Sequence, residues 1–272
     1  MKKFLIVALS LICVTCAGCF KINFDLMITG DGAVVQQSKF IGTAALNPVI
    51  EDWKKQAEKN NPNLKAKAVE EGELRGYRFD TDYPDIESFA KSTNELYLAH
   101  EGINKGISRH KSWFFDEYDF DFYWKSSPAK TAFDATVNQA LLSQAVFDVS
   151  ISLPYSAVST NADEVHDGGK LLKWHLSHVT INGGEKFMNA RFKLWHKDKI
   201  ALTVLAELLL LTATIFFFIK ARADELDKIS KDLRFKRNVF ALLFVTLGAI
   251  SAYLIYAPVV FTEADIISVA LP

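Results

Sequence analysis

The sequence predicts an α+β domain, in which a mixed or antiparallel sheet packs with about three helices, followed by a two-helix transmembrane hairpin. Three observations predict it: strict polar-apolar alternation from residue 21, helical periodicity between strand-like segments, and two long apolar runs near the C-terminus. The predicted segments are a signal peptide (1–18), an extracytoplasmic domain (19–198), a first transmembrane helix (199–219), a basic cytoplasmic loop (220–238), a second transmembrane helix (239–260) and a short extracytoplasmic tail (261–272).

The N-terminus has the pattern of an export signal. Lys2 and Lys3 precede an apolar run over residues 4–14, which is shorter than the roughly 20 residues of a membrane-spanning helix. The small residues before Cys19 resemble the bacterial lipobox, in which the cysteine thiol receives a diacylglycerol, although Cys16 stands where that pattern prefers leucine. We therefore predict lipid attachment at Cys19, with plain signal cleavage or an uncleaved anchor as alternatives.

Cysteine usage and charge exclude several classes of function. All three cysteines, Cys13, Cys16 and Cys19, lie in the signal region, so neither a disulfide framework nor a cysteine metal site is expected in the folded domain. The stretch from residue 20 to residue 199 is mildly acidic, which argues against nucleic acid as a partner because phosphate binding needs a basic face.

The two C-terminal apolar runs are each long enough to cross a bilayer. Residues 220–237 between them carry seven basic and four acidic side chains, so the positive-inside rule predicts a cytoplasmic loop with both flanking segments outside. We therefore expect a multi-pass protein of the bacterial cytoplasmic membrane. Near the membrane we expect four basic side chains to meet lipid headgroups, namely Lys193, His196, Lys197 and Lys199.

Glu207 lies inside the first apolar run and is a candidate intramembrane polar site. The expected role is structural: the carboxyl group faces the second helix near Ser251 or Thr246, or it is protonated or hydrated towards the outer surface. A transport or proton-carrying role is the alternative.

The domain begins with strands and a helix. Residues 21–29 alternate as in a half-buried strand, and Gly30, Asp31 and Gly32 predict a hairpin turn to a second strand over residues 34–41. Asn47 and Pro48 predict the start of a helix. Further helices are expected from residue 84 to about residue 98 and over 130–145, with strands at 66–69, 74–79, 107–115, 117–124, 147–153, 171–176 and 186–195.

An aromatic stretch between residues 113 and 124 is the candidate binding site. Because side chains alternate along a strand, most of these aromatic residues share one face. That face either packs into the core or lines an apolar pocket suited to an acyl chain. The candidate pocket residues are Trp113, Tyr118, Phe120, Phe122 and Trp124.

No pattern predicts catalysis, a metal or a cofactor. His175 and His178 have a spacing found in some zinc sites, but strand geometry points them to opposite faces. Asp119 and Asp121 share a strand face, as a glycosidase pair could, although a solvated face is the commoner arrangement. We expect a protein that is not an enzyme.

Three passages resemble the LppM-domain family of bacterial lipoproteins. They are Gly18-Cys19 with the strand and Asp-Gly turn that follow, the closing strand that leads into a membrane span, and a stretch with Asn161-Ala162-Asp163, Asp167-Gly168-Gly169 and Leu172-Lys173-Trp174. The resemblance implies an exported, membrane-tied α+β domain without enzymatic activity that handles envelope lipids or other amphiphiles. The second transmembrane helix departs from the pattern expected of many relatives.

These observations lead to two functional hypotheses. The first is a module that binds an envelope lipid or another amphiphile, with membrane lipids as partners through both the acyl anchor and the bound ligand. The second is a structural or assembly subunit that docks another envelope protein.

Overall fold

The computed structural model of the protein describes residues 20–60, 64, 66–92, 104–125, 145–176, 184–223 and 227–268. Within these ranges the chain forms two sheets and four α-helices. The helices are α1 (Asn47–Asn60), α2 (Ile86–Lys91), α3 (Lys197–Ala223) and α4 (Asp227–Tyr256). The strands are β1 (Phe20–Ile28), β2 (Val34–Gly42), β3 (Ala66–Glu71), β4 (Leu74–Tyr83), β5 (Asn104–Lys111), β6 (Phe115–Lys125), β7 (Ala145–Ser152), β8 (Ser159–Thr160), β9 (Glu164–His166), β10 (Leu171–His175), β11 (Glu185–Trp195) and β12 (Ile266–Ser268).

The larger sheet is mixed and has seven strands in the order β3-β4-β2-β1-β7-β10-β9. β1 pairs antiparallel with β2, with Phe24 opposite Ser38, and parallel with β7, with Phe24 opposite Val149. The predicted alternation of β1 holds, since its buried and half-buried residues alternate from Phe20 to Leu26. Gly32 lies in the β1–β2 turn with φ +90°, a left-handed conformation that favours glycine.

The smaller sheet has five strands in the order β12-β5-β6-β11-β8. β8 pairs antiparallel with β11, with Thr160 opposite Ala190, and β12 pairs antiparallel with β5, with Ile266 opposite Ser108. The sheet structure is thus more extensive than the single sheet expected from the sequence. The tail after the second apolar run also contributes a strand, which the sequence analysis missed.

A single large hydrophobic cluster draws side chains from both sheets and from helices α1 and α2. The rings of Trp124 on β6 and Phe147 on β7 meet edge to face with centroids 5.6 Å apart, which joins the smaller sheet to the larger one. The core of this domain therefore lies where the inward faces of the two sheets meet.

Two of the three helices predicted in the domain are present among the described residues. Asn47 is the first residue of α1, preceded by a 3₁₀ turn over Ala44–Leu46, rather than its cap. Trp53 of α1 packs edge to face on Phe40 and Phe79. α2 begins close to residue 84, as predicted, and Asp85 caps it by accepting a hydrogen bond from the Ser88 N–H at 2.6 Å. The rest of the second predicted helix, beyond residue 92, and nearly all of the predicted helix at 130–145 lie outside the described residues.

The chain divides into two compact units. The described residues of Met1–Arg109, Tyr118–Leu194 and Thr262–Pro272 form the first unit, and His110–Glu117 with Trp195–Phe261 form the second. The second unit consists of the turn between β5 and β6 together with helices α3 and α4.

Helices α3 and α4 are both long and apolar enough to cross a membrane. In the most apolar 18-residue stretch of each helix, no residue of α3 and only 6% of the residues of α4 are buried. The leucine and phenylalanine side chains of both helices are therefore largely exposed. An exposed apolar surface of this extent is unstable in water and is consistent with membrane association. Both helices are longer than predicted. α3 extends beyond both predicted ends, and α4 begins at Asp227, within the segment expected to be a loop.

Candidate functional site

Four of the five candidate pocket residues lie together in the core. Tyr118, Phe120, Phe122 and Trp124 alternate along β6 and are at most 5% exposed. Phe192 of β11 stacks on Tyr118 at 5.6 Å between centroids and meets Phe120 edge to face at 5.1 Å. These rings therefore fill space against one another, as the core-packing interpretation of the stretch expects.

Helix α2 closes one side of this aromatic layer. Phe89 lies 6.4 Å from the rings of both Phe120 and Phe122. The ammonium group of Lys105 lies 4.4 Å from the centroid of Phe89 and donates hydrogen bonds to Phe89 O at 2.9 Å and Ser92 O at 3.0 Å. The Lys105 ammonium group thus adds a charged donor to carbonyl groups at the C-terminal end of α2.

Trp113, the fifth candidate, does not lie with the other four. It belongs to the second compact unit and is 49% exposed in the turn between β5 and β6. Its indole N–H donates to Thr203 Oγ1 at 3.4 Å, and the Lys199 ammonium group lies 5.4 Å from its ring. The tryptophan is thus attached to the first turns of α3, where nothing in the local sequence pattern predicted it.

The backbone of the same turn is fastened to the residue before α3. The N–H of His196 donates to Phe114 O at 2.8 Å, and His196 Nδ1 lies 3.1 Å from Trp113 O. His196 Nε2 lies 3.5 Å from Asp116, and Trp195 meets Phe115 edge to face at 5.2 Å. The ring of His196, which we expected to meet lipid headgroups, therefore also contacts this turn.

Glu207 lies on the stripe of α3 that faces α4. Along α3, half-buried residues recur at three- and four-residue intervals and include Glu207. Phe217 stacks on Phe240 with centroids 5.5 Å apart. Ser251 of α4 is half-buried as well. Thr246 is instead exposed and donates to Leu242 O.

The acid pair on β6 takes part in a structural hydrogen-bond network. Asn189 of β11 donates through Nδ2 to both Asp119 and Asp121 at 2.7 Å. Asn161 in turn accepts from the Asn189 N–H at 2.7 Å and from Trp174 Nε1 at 2.9 Å. Two motifs of one passage that carries the family resemblance, around Asn161 and Trp174, are thus joined by a side-chain hydrogen bond.

His175 pairs with two carboxylates. Its Nδ1 lies 2.8 Å from Asp148 and its Nε2 lies 3.2 Å from Glu164. The hydrogen bond to Asp148, followed by the one to Glu164, raises the pKa of His175 against the opposing effect of burial. His178 lies outside the described residues, and among those described no cluster of three histidine, cysteine, aspartate or glutamate side chains could hold a metal ion.

Cys19, the predicted lipid-attachment residue, also lies outside the described residues. The residue that follows it, Phe20, is the first of β1 and is buried.

The comparisons with known proteins give one distant likeness. No family model matches the chain, and no curated protein does. The folded domain of the LppM protein of Mycobacterium tuberculosis, solved by NMR, is similar over 67% of this chain and 94% of its own, with 11% identity and a TM-score of 0.41. The likeness is a distant structural similarity.

Proposed function

We propose that the protein is a non-enzymatic component of the bacterial cell envelope that acts while fixed to the outer surface of the cytoplasmic membrane. One observation carries this proposal: strands of the same five-stranded sheet precede and follow the helical pair. β11 ends at Trp195 just before α3 begins, and β12 begins at Ile266, ten residues after α4 ends.

This connectivity constrains how the helices cross a bilayer. One sheet lies on one side of a membrane, so the start of α3 and the end of α4 must lie on that same side. The two helices therefore cross as a hairpin. A domain held at both ends of such a hairpin cannot carry a ligand from one membrane to another, so its role is performed at the surface where it is anchored.

Charge supports the proposed orientation of the hairpin. The seven basic and four acidic residues over 220–237 favour the cytoplasm, which puts the domain outside. An acyl group on Cys19 would add a third tether next to Phe20. A reporter enzyme inserted at residue 225 tests this orientation. Activity confined to the cytoplasm is expected, and activity outside the cell would overturn the proposal.

The leading role is structural: the fixed domain docks another envelope protein and holds it at the membrane. The aromatic core favours this role over ligand binding, because Tyr118, Phe120, Phe122 and Trp124 each contact neighbouring rings. An acyl chain could enter only by separating such pairs, which are worth roughly 0.5–1.5 kcal/mol each beyond the area that they bury.

Photocrosslinking tests the docking role. A photoreactive amino acid at Val165, which is 51% exposed, or at exposed Phe187 should trap the same partner of the same mass in living cells. The matched control places the reagent at Phe192, which is fully buried and should give no adduct. Failure at every exposed position of the domain would rule out a stable protein partner.

Binding of an envelope lipid or another amphiphile is the second candidate function. The observation that favours it is the wide aromatic layer where the two sheets meet, which would suit an acyl chain if the rings parted. Cells fed a photoreactive fatty acid give the test. Adducts on residues 118–124 of the full-length chain would establish amphiphile binding in the core and displace docking as the leading role.

A further inference from the structure

The turn between β5 and β6 has the chemistry of a membrane-interface anchor. Ser112 N–H donates to Phe115 O at 2.9 Å and closes the turn, and Phe114 is buried, whereas Trp113 remains half exposed. Tryptophan prefers the layer between lipid headgroups and hydrocarbon because its ring is apolar and its N–H can still be hydrogen-bonded.

Contacts with α3 set the level of this indole along the helix. Trp113 touches Lys199 and Thr203, which lie on either side of Ile200, the residue where the apolar run begins. At 1.5 Å of rise per residue, Thr203 lies about 5 Å beyond that boundary. The indole is therefore level with the first turn of the apolar segment, which is the depth of the headgroup-hydrocarbon boundary.

The turn also meets the chain beyond the other helix. His110 lies edge to face with Phe261, which follows α4, at 6.4 Å between ring centroids. Trp195, His196 and Lys199 surround the other side of the turn. The turn thus contacts both the start of α3 and the chain that follows α4 through aromatic and basic side chains. These are the residue types found at membrane interfaces.

We propose that the turn over residues 112–114 inserts Trp113 into the interfacial layer of the membrane on the side where α3 begins, so that phospholipids, rather than another protein, cover its exposed face. Lys199 lies over the indole and places its ammonium group at headgroup level, where it meets lipid phosphate. The inference rests on the proposed membrane placement of α3 and α4, but not on which leaflet is involved.

Depth-dependent fluorescence quenching tests the inference. The full-length chain is reconstituted in phosphatidylcholine and phosphatidylglycerol vesicles whose acyl chains are brominated either near the headgroup or near the chain end. The chain has five tryptophans, so the signal of Trp113 is the difference between the native protein and Trp113→Phe. This difference emission should be quenched at least twofold more by the shallow bromine.

Trp53→Phe is the matched control, since Trp53 packs between Phe40 and Phe79 in the domain. Its difference emission should be unaffected by either lipid. If Trp113→Phe fails to fold, the photoreactive fatty acid applied to the native protein replaces it, and adducts at Trp113 are expected. Absence of shallow quenching, or of adducts where the variant does not fold, would overturn the inference.

Hydrogen exchange of α3 and α4 in the same vesicles separates the two proposals. Protected helices with an unquenched Trp113 would refute interfacial insertion and leave the membrane placement intact. Unprotected helices would refute the placement itself, and the inference with it.

Discussion

The side-chain oxygen of Asn161 accepts a hydrogen bond from the indole N–H of Trp174 at 2.9 Å, which gives a fully buried tryptophan its polar partner. The same oxygen accepts from the Asn189 N–H, and Asn161 Nδ2 donates to Phe187 O at 3.0 Å. One amide side chain therefore joins β10 of the larger sheet to β11 of the smaller one.

Replacement of Asn161 by leucine should destabilise the domain by about 1–3 kcal/mol, because a buried indole N–H loses its partner. The shift of the urea midpoint of the full-length protein, followed by tryptophan fluorescence, measures this loss. Val165→Ala, at an exposed position of β9, is the control and should change stability by less than about 0.5 kcal/mol. Equal stability of the two variants would mean that the Asn161 network contributes nothing.

His175 should make stability depend on pH. Its pKa is raised, first by the hydrogen bond to Asp148 and then by Glu164. A group whose folded pKa lies above its unfolded value stabilises fully below the unfolded pKa, near 6.5 for histidine, and loses this contribution as pH rises through the folded pKa. The side chain is 41% exposed, so we expect less than about 1 kcal/mol.

The difference in stability between the native protein and His175→Gln should therefore be largest between about pH 5 and 6.5 and should shrink at higher pH. Unfolding midpoints across this range measure it. Asp148→Asn is the matched variant and should remove most of the pH dependence. A difference that is constant with pH would contradict the pairing.

Gly76 should not tolerate alanine. It pairs with Ile41 across β2 and β4, and an added Cβ would lie 2.1 Å from Phe40 O and 2.9 Å from Ile41 Cα. Backbone atoms cannot move aside as a flexible side chain would, so we expect a loss of roughly 1–3 kcal/mol or more. Gly248→Ala is the control, because its Cβ would meet nothing within 4 Å. Thermal unfolding of both variants gives the comparison.

Cys19→Ala tests the lipid anchor separately from the helices. Intact-mass measurement should show loss of the acyl adduct, while the chain remains in the membrane fraction after a carbonate wash, because α3 and α4 still hold it. Cys16→Ser should keep the adduct. An unmodified native protein that retains residues 1–18 would show that the signal acts as an uncleaved anchor instead.

Local sequence patterns predicted the elements in which apolar side chains recur with the regular spacing of a strand or a helix. The alternation of β1, the Gly32 turn and the start of α2 near residue 84 were all predictable because each depends on neighbours in sequence. The two apolar helices were equally clear from length and composition.

Features that depend on distant partners were not predictable in this way. β12 has only three residues and forms against β5, more than 150 residues earlier in the chain. Proximity in sequence groups Trp113 with the aromatic residues of β6. The turn before Phe115 interrupts the alternation of the strand, however, and the indole N–H of Trp113 donates to Thr203 instead.

The pairing of β12 with β5 has a consequence for biogenesis. In the proposed topology Ile266 is synthesised after both helices, so the edge of β5 would stay open until the second helix has been inserted and the tail has reached the side where the sheet lies. Completion of the sheet would then depend on successful insertion of the hairpin. A chain truncated after Tyr256 would keep an unpaired strand edge, a template for aggregation that envelope proteases could recognise.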